Sequence, residues 1–470
     1  MLVIGGGLAG LACAMALSDA GLHVRVVERA DEAGGRARSI TDATTGERID
    51  LGPHILLSEY RNMLRLLDLL GTRRHVAWQG ARFITLVDAP GATTLHLYPL
   101  PAPLHFLPDL LRVPQLSLAD VASNARLFWR VLRLDDAGRM QLDQVDAEQY
   151  LRALGVSERF IDWYWRTVAM AIMNVPLGEC SAGALLGFFR YLVGRNGYQL
   201  GLPSIGLGDL FAPAARHWIE ARGGAVRLGI EAARLELAGD RACGAILADG
   251  TRLHARWTVA ALPPPSLHAL LPESLRTHAT FRDLAAFAPS PYVSTYLWFD
   301  RRLSRERFWA NTWSPRTLYY DFYDLANIRA HRDAEGSLVA CNLIFSTRAA
   351  HLDDAALIDA ACSELAAYLP RTREAVLRHA VVHRIPMAIP APHPGSESLR
   401  PEARTPIRNL FLAGDWLATG LPASMESAVR GGWMAAEAVL QEAGRPRAWV
   451  QPLPRMDPLA ALGGRRAAAG

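Results

Sequence analysis

The sequence predicts an α/β fold, in which a Rossmann-type parallel sheet alternates along the chain with a second, α+β domain. Three observations predict it. A glycine-rich turn separates an apolar strand from an Ala-rich helix at the start of the chain, a strand and helix pattern returns in 205–275, and a last strand, turn and helix lie in 401–440. Because strands that alternate with helices build parallel sheets, we expect these three stretches to form one domain.

The stretches between these three have other patterns. Residues 78–98 alternate and predict a hairpin with its turn at Ala89-Pro90-Gly91, and helical periodicity dominates 104–192, so 76–204 is mostly helical. The stretch 276–400 contains strands, of which 292–299 is the clearest. After residue 440, Pro, Arg, Ala and Gly predominate. We therefore expect a Rossmann-type domain from 1–75, 205–275 and 401–440, a second domain from 76–204 and 276–400, and a disordered tail over 441–470.

The opening turn has the spacing of a phosphate-binding loop. Gly5, Gly7 and Gly10 stand at G-x-G-x-x-G positions after the strand Val3-Ile4. The first glycine permits the tight turn, the second admits a pyrophosphate close to the backbone, and the third lets helix and strand pack closely. Free N–H groups at a helix N-terminus would hold the pyrophosphate. The loop therefore predicts a dinucleotide site that includes Leu8 and Ala9.

An acid in the expected place supports the dinucleotide. Glu28 closes the second strand, 24–27, and lies 18 residues beyond Gly10, close to the roughly 20 expected for a ribose-hydroxyl ligand. A carboxylate there favours FAD or NAD and would repel a 2′-phosphate. We place Glu28 and the adjacent Arg29 at the ribose.

Two further segments distinguish FAD from NAD. Ala33-Gly34-Gly35-Arg36-Ala37-Arg38 resembles the G-G-R segment of the flavin amine oxidase and desaturase superfamily, whose fold is glutathione-reductase-like. The pair 410–416 (LFLAGDW) and 422–428 (PASMESA) resembles the second signature of that superfamily. The resemblance implies FAD, with Gly35 and Arg36 at the diphosphate and Asp415 at the ribityl and pyrophosphate. It also implies a helix N-terminus at the isoalloxazine, where a helix dipole stabilises negative charge. The other residues that it assigns to the cofactor are Val226, Gly414, Ser424 and Met425.

Composition excludes several classes of function. A net charge of +4 over 470 residues is small and argues against a nucleic-acid partner. All 50 basic residues are arginine. Five dispersed cysteines without metal-binding spacing predict reduced thiols and no metal site. With no basic leader and no apolar run free of proline and long enough to span a bilayer, we expect a cytoplasmic protein.

Apolar segments predict the kind of substrate. Pro101–Leu111 is kinked and lightly charged, and aromatic groups recur at 163–165 and 188–192. These segments would line an apolar cavity or form a surface that contacts a membrane. Periodicity alone favours an ordinary helical core for the same segments.

A resemblance narrows the substrate to an isoprenoid. Ile49–Arg61 (IDLGPHILLSEYR) resembles a segment of squalene-associated FAD desaturases, the hydroxysqualene dehydroxylases, as do 100–105 and 414–426. Pro53 and the stretch 317–324 depart from that pattern. The resemblance implies hydride delivery from reduced flavin to hydroxysqualene, with peripheral membrane contact as a further expectation. Plant-type phytoene desaturases share the Ala-Ser-Met-Glu core at 423–426, so a carotenoid desaturase, which would remove a hydride and a proton from the polyene, is the alternative function.

Two side chains are candidates for the proton donor. His54 and Tyr60 follow the cofactor segments, and we predict a catalytic role for them, although His54 could equally cap a turn. For Glu426, at the start of the predicted flavin helix, we predict a structural role, as part of a cap or a salt bridge, rather than proton transfer.

Two other functions share these cofactor motifs. An amine oxidase has the same fold, but many such enzymes place a lysine near the reactive flavin nitrogen, and this chain has none. A non-enzymatic prenyl escort also has the fold, but the intact Gly5, Gly7, Gly10, Glu28 and Asp415 argue against it.

Overall fold

A five-stranded parallel sheet joins the two ends of the chain in the computed structural model, which describes residues 1–80, 82–88, 91–329, 335–458 and 460–461. Its strands, in spatial order, are Ala225–Arg227, Arg25–Val27, Leu2–Ile4, Thr258–Ala260 and Leu410–Leu412. All four neighbouring pairs are parallel. Leu2–Ile4, at the centre, is buried and wholly apolar, as expected for a strand covered on both faces.

Two long helices from opposite ends of the chain pack beside this sheet. The first helix is Leu8–Asp19 and the last is Met425–Glu442. A Cβ on Gly432 would lie only 2.3 Å from the carbonyl oxygen of Ala9, so the absence of a side chain allows the helices to approach this closely. The N-terminal and C-terminal segments therefore form one core.

Smaller elements complete this part of the molecule. An antiparallel sheet contains Ala232–Ala238, Arg241–Leu247 and Arg252–His254, and Ser39–Thr41 pairs with Arg48–Asp50. The helices around these sheets are Arg61–Leu70, Ala212–Glu220, Pro264–Leu270, Glu273–Arg276 and Ala279–Arg282.

The second sheet is seven-stranded and mainly antiparallel. Its spatial order is Leu377–Pro390, Pro289–Phe299, Leu338–Ile344, Asp321–Asp324, Phe308–Asn311, Arg82–Asp88 and Gly91–His96. The last two strands form the hairpin expected from the sequence, while Ala89 and Pro90 of its predicted turn lie outside the described residues. Helix Asp354–Tyr368 and the short helix Leu325–Ile328 belong to this half.

The stretch 104–194 is helical, as its periodicity predicts. Its α-helices are Leu107–Leu110, Leu118–Ala122, Ala125–Leu132, Asp136–Leu142, Ala147–Ala153, Glu158–Phe160, Arg166–Val168 and Ala182–Gly194, with π-helical turns at Ile161–Trp165 and Ala169–Met173. A small sheet of Leu56–Leu57, Leu200–Pro203 and Val76–Trp78 connects this layer to the cofactor segments. This is the α/β architecture with an α+β second part that the sequence predicts.

The prediction of a disordered tail over 441–470 is wrong for most of its described part. Trp449 is buried and packs against Trp433 of the last helix. Its backbone N–H donates to Glu437, 2.6 Å away. Composition alone does not indicate that one tryptophan in this Pro- and Arg-rich stretch is buried against the last helix and so holds the chain there. Residues 462–470 lie outside the described residues. Among the described helices, none combines the length and apolar character needed to cross a membrane.

Candidate active site

A cavity of about 650 Å³ lies beside the parallel sheet. Ligands of doubly wound sheets bind at the carboxyl ends of the strands, and the residues that directly follow four of these strands line the cavity. Twelve of the predicted cofactor residues line it: Gly5, Gly7, Leu8, Ala9, Glu28, Arg29, Gly35, Arg36, Gly414, Asp415, Ser424 and Met425.

The glycine loop presents a helix N-terminus to this cavity. Gly7 is the N-cap of the first helix, no side chain caps it, and the first turn contains no acid. Gly5 has φ +106°, and a Cβ there would lie 2.4 Å from the carbonyl oxygen of Ala261, so this position requires glycine. Uncapped N–H groups beside a cavity fit a dinucleotide diphosphate.

Glu28 is oriented by the same loop. Gly6 N–H donates to its Oε2 at 2.7 Å, and Ala30 N–H donates to its Oε1 at 2.9 Å. Each carboxylate oxygen retains acceptor capacity toward the cavity. This arrangement fits a ribose hydroxyl pair.

Arg36 and Asp415 connect the two ends of the chain. The guanidinium donates to Asp415 Oδ1 at 2.6 Å and to the Ala388 carbonyl oxygen at 2.7 Å. The Asp415 side chain is only 5% exposed, so Arg36 neutralises a buried charge at the cavity wall. This ion pair therefore holds together two cofactor residues that were predicted from motifs at opposite ends of the chain.

Two predicted cofactor residues do not line the cavity. Val226 lies buried inside the parallel sheet, so assigning it to the cofactor is wrong; the chain reaches the cavity a few residues later, at 230–233. Gly10 packs behind the loop, where a Cβ would lie 2.0 Å from Gly5 O, which is the helix–strand contact expected of the third glycine.

Sequence analysis missed several wall residues. Ala261–Pro263 follow the parallel strand Thr258–Ala260, and their position at a strand end could have revealed them. Ile230–Ala233 and Ala388–Ile389 carry no comparable signal in the sequence.

A second, largely apolar cavity of about 340 Å³ adjoins the first. Both are lined by Arg36, His54, Ala388, Ile389, Ser424 and Met425. The apolar wall includes Phe83, Ile84, Leu86, Leu95, Phe106, Val168, Phe188, Leu192, Leu200, Phe308 and Ile344. Wall residues from both the helical layer and the seven-stranded sheet create an apolar space beside the dinucleotide cavity.

The aromatic segments predicted to line such a space do so only in part. Tyr164 and Phe188 face the cavity. Trp165 is instead fully buried and donates to Asn124, and Trp163 donates to Asp88. Each aromatic segment therefore contributes some side chains to the cavity wall and others to the helical core.

His54 lies at the junction of the two cavities and is exposed to them. Its Nδ1 is 2.8 Å from the Gly52 carbonyl oxygen, which can only accept, so Nδ1 carries the hydrogen and Nε2 keeps a lone pair. Burial away from bulk water lowers the pKa of His54. The ring is therefore neutral near pH 7 and suited to accept a proton, in contrast to the donor role predicted from the sequence.

Tyr60 lines the apolar cavity and precedes helix Arg61–Leu70. Burial, together with the nearby Glu426, raises the pKa of its hydroxyl. Glu426 accepts from the backbone N–H groups of Asn62 and Met63 at 3.0 and 2.8 Å. Its role is structural, as predicted, but the helix that it caps is Arg61–Leu70 and not its own helix, Met425–Glu442. Ser424 begins the last helix and accepts from Ser427 N–H at 3.2 Å, so this helix N-terminus lies at the cavity junction.

No cluster of three or more metal-ligating side chains occurs within the part of the chain that the structure describes.

Comparison with known proteins supports this geometry. The family model described as flavin containing amine oxidoreductase matches residues 8–440. A 15-cis-phytoene desaturase of Synechococcus elongatus is 27% identical, covering 96% of this chain and 99% of the relative. The chloroplastic/chromoplastic 15-cis-phytoene desaturase of Solanum lycopersicum is 27% identical, covering 94% of this chain and 78% of its own.

Solved structures share the fold. An oxidoreductase from Methanosarcina mazei superposes with a TM-score of 0.70 at 18% identity, covering 94% of this chain and 99% of its own. A putative protoporphyrinogen oxidase from Exiguobacterium gives 0.71 at 16% identity, over 94% and 98%. The α/β fold predicted from the sequence is confirmed.

Proposed function

Because the chain belongs to the flavin containing amine oxidoreductase family and is an FAD-dependent oxidoreductase, we propose that it transfers hydride between FAD and a long apolar isoprenoid. The observation that carries the proposal is the apolar cavity that meets the dinucleotide cavity at His54 and Ser424. Because the chain is an oxidoreductase, we do not retain the alternative that it is a non-enzymatic prenyl escort.

FAD fits the first cavity residue by residue. Amides of the loop that begins the first helix would hold the diphosphate, Glu28 would bind a ribose, and Arg36 with Asp415 would fix the region between them. The N-terminus of the last helix would face the ring system, where its dipole favours negative charge. When bound, FAD supplies the hydride chemistry, and the protein supplies position, dryness and proton exchange.

Within this class, we favour the reduction of hydroxysqualene to squalene. The segment 49–61, which resembles hydroxysqualene dehydroxylases, forms the cavity wall next to the junction, through Gly52, Pro53, His54, Ile55, Leu57, Glu59 and Tyr60. Desaturation of a phytoene-type polyene is the second candidate. Relatives named phytoene desaturases favour it, as does the free Nε2 of His54, which could accept a proton from carbon.

An anaerobic experiment distinguishes these reactions. Photoreduced enzyme mixed with hydroxysqualene is expected to regain the visible absorbance of oxidised flavin and to form one squalene per flavin. Oxidised enzyme is mixed in parallel with phytoene and with putrescine. Bleaching by phytoene alone would support the desaturase, and bleaching by putrescine would overturn the isoprenoid proposal.

We also propose that the segment 100–111 contacts a membrane. Leu104 and Leu111 are 45% and 47% exposed, and Leu107 is exposed beside them. Phe106, between them, lines the apolar cavity. A membrane surface formed by this segment would therefore bring a lipid-soluble substrate close to the cavity.

Replacing Leu104, Leu107 and Leu111 together by serine is expected to lower sedimentation with anionic vesicles at least about tenfold, because one leucine side chain moved out of water contributes roughly 1.5 kcal/mol or more. Phe106 and Leu110 are left intact because they are buried. A matched variant with serine at Met140 and Val376, two other exposed apolar positions, is expected to sediment as the parent does. Unchanged sedimentation of the triple variant would refute the membrane contact.

A further inference from the structure

One carboxyl group in the wall of the apolar cavity takes no part in the cofactor site or in the hydride transfer proposed above. Asp321 belongs to the seven-stranded sheet, lines the cavity and is only 8% exposed. An isolated carboxyl group in an apolar wall is costly unless it is protonated or paired. Its surroundings indicate how it is accommodated.

The two oxygens of Asp321 have different environments. Tyr323 Oη donates to Oδ2 at 3.0 Å. Oδ1 is buried and lies opposite the side-chain amide of Asn342 on the neighbouring strand. Among the described residues, neither Oδ1 nor Nδ2 of Asn342 makes a well-formed hydrogen bond, but the amide is near enough to lower the pKa of Asp321. Ser294 donates to Oδ1 of Asn342 at 2.7 Å, which fixes that amide. A donor and an acceptor thus face each other across the two strands, behind the apolar space, without a well-formed hydrogen bond between them.

The wall connects Asp321 to the cofactor side of the cavity. A Cβ on Gly52 would touch the Tyr292 ring at 3.5 Å, and Gly52 O holds His54 at the junction. Tyr292 also lies close enough to Asp321 for the carboxylate charge to raise its pKa. A ligand in this cavity can therefore reach both the junction and the carboxyl group.

We propose that Asp321 is a catalytic acid that binds and protonates the hydroxyl group of an isoprenoid alcohol, an inference that rests on the proposed function. The Asp321 proton passes to the hydroxyl oxygen, and the C–O bond breaks with its electron pair to release water. Reduced FAD, held at the neighbouring cavity, would supply the hydride that this carbon accepts and would be oxidised in return. Asp321 regains a proton from solvent, so alcohol, proton and hydride give hydrocarbon and water.

The protonation state agrees with this role. Burial raises the pKa of Asp321 to about 7, against the lowering effects of Asn342 and Tyr323. The titratable groups that face it are Tyr292, Tyr320, Tyr323 and Cys341. Burial raises the pKa of each of these, so they stay neutral while Asp321 titrates.

The test combines turnover with equilibrium binding. Asp321→Asn keeps the shape but removes the acid, and single-turnover reduction of hydroxysqualene is expected to slow by about 100-fold or more, at unchanged FAD content. The parent rate should fall as pH rises through about 7, and the residual rate of the variant should not. Asp359→Asn, an exposed carboxyl group elsewhere, serves as the control.

Binding is measured by quenching of tryptophan fluorescence. The parent is expected to bind hydroxysqualene about tenfold more tightly than squalene, and Asp321→Leu is expected to abolish the preference. A parent that binds the alcohol preferentially but does not reduce it would refute the proposed function, and with it the proton transfer, and would leave only the binding of the hydroxyl group by Asp321. Normal reduction by Asp321→Asn, or no loss of preference in Asp321→Leu, would overturn the role of Asp321 and leave the function standing.

Discussion

Replacing Gly7 by leucine is expected to give a folded protein that no longer retains FAD. Gly7 has φ −73° and ψ 178°, a conformation open to any residue. A Cβ there would meet only Gly35 Cα, at 3.7 Å, so a larger side chain extends into the cavity. It would occupy the space that a diphosphate needs, and we expect at least about 100-fold weaker FAD binding, or about 2.7 kcal/mol.

Flavin absorbance of the purified protein and titration of the apoprotein with FAD measure this effect. Gly80→Leu provides the control, because Gly80 is exposed and a Cβ there meets nothing within 4 Å. Circular dichroism should be unchanged in both variants. A Gly7→Leu protein as yellow as the parent would mean that the diphosphate lies elsewhere.

Replacing Ala171 by tryptophan is expected to abolish use of the isoprenoid while FAD remains bound. Ala171 lies in the π-helical turn Ala169–Met173 and faces the apolar cavity but not the dinucleotide cavity. An indole there would fill part of the substrate space without touching the cofactor loop. Because binding in a preformed apolar pocket depends on free volume, we expect kcat/KM to fall at least about 100-fold.

The matched variant is Ala355→Trp, on the exposed side of helix Asp354–Tyr368. It introduces the same side chain away from both cavities and is expected to keep parental kcat/KM and flavin content. If Ala171→Trp turned over hydroxysqualene normally, the substrate would have to bind outside this cavity.

The cofactor site could be predicted from the sequence because its residues are dictated by local geometry. A tight turn at Gly5, a close helix–strand contact at Gly10 and an acid closing the second strand at Glu28 each leave a mark on nearby residues. The assignment of Val226 to the cofactor is wrong because no local feature of the sequence fixes which residue of this stretch lines the cavity. The chain continues from the strand Ala225–Arg227 to the cavity, which it lines at 230–233. The periodicity of the sequence predicts the strand but does not determine which of the following residues reaches the cavity.

The substrate cavity could be predicted only in outline. Aromatic residues that line it and those that fill the core have the same helical spacing, so Tyr164 and Trp165 were indistinguishable. Asp321 left one signal, an acid within the aromatic stretch 317–324, but its burial depends on strand pairing with distant residues. The protonation of His54 likewise depends on a backbone contact that only the fold reveals.

A crystal structure of the oxidised protein with FAD and squalene tests the central claim most directly. We expect the diphosphate on the loop at Gly7, the ring system between His54 and Ser424, and the hydrocarbon in the cavity that Asp321 lines. Density for squalene away from the ring system, or a flavin whose ring system does not reach this junction, would contradict it.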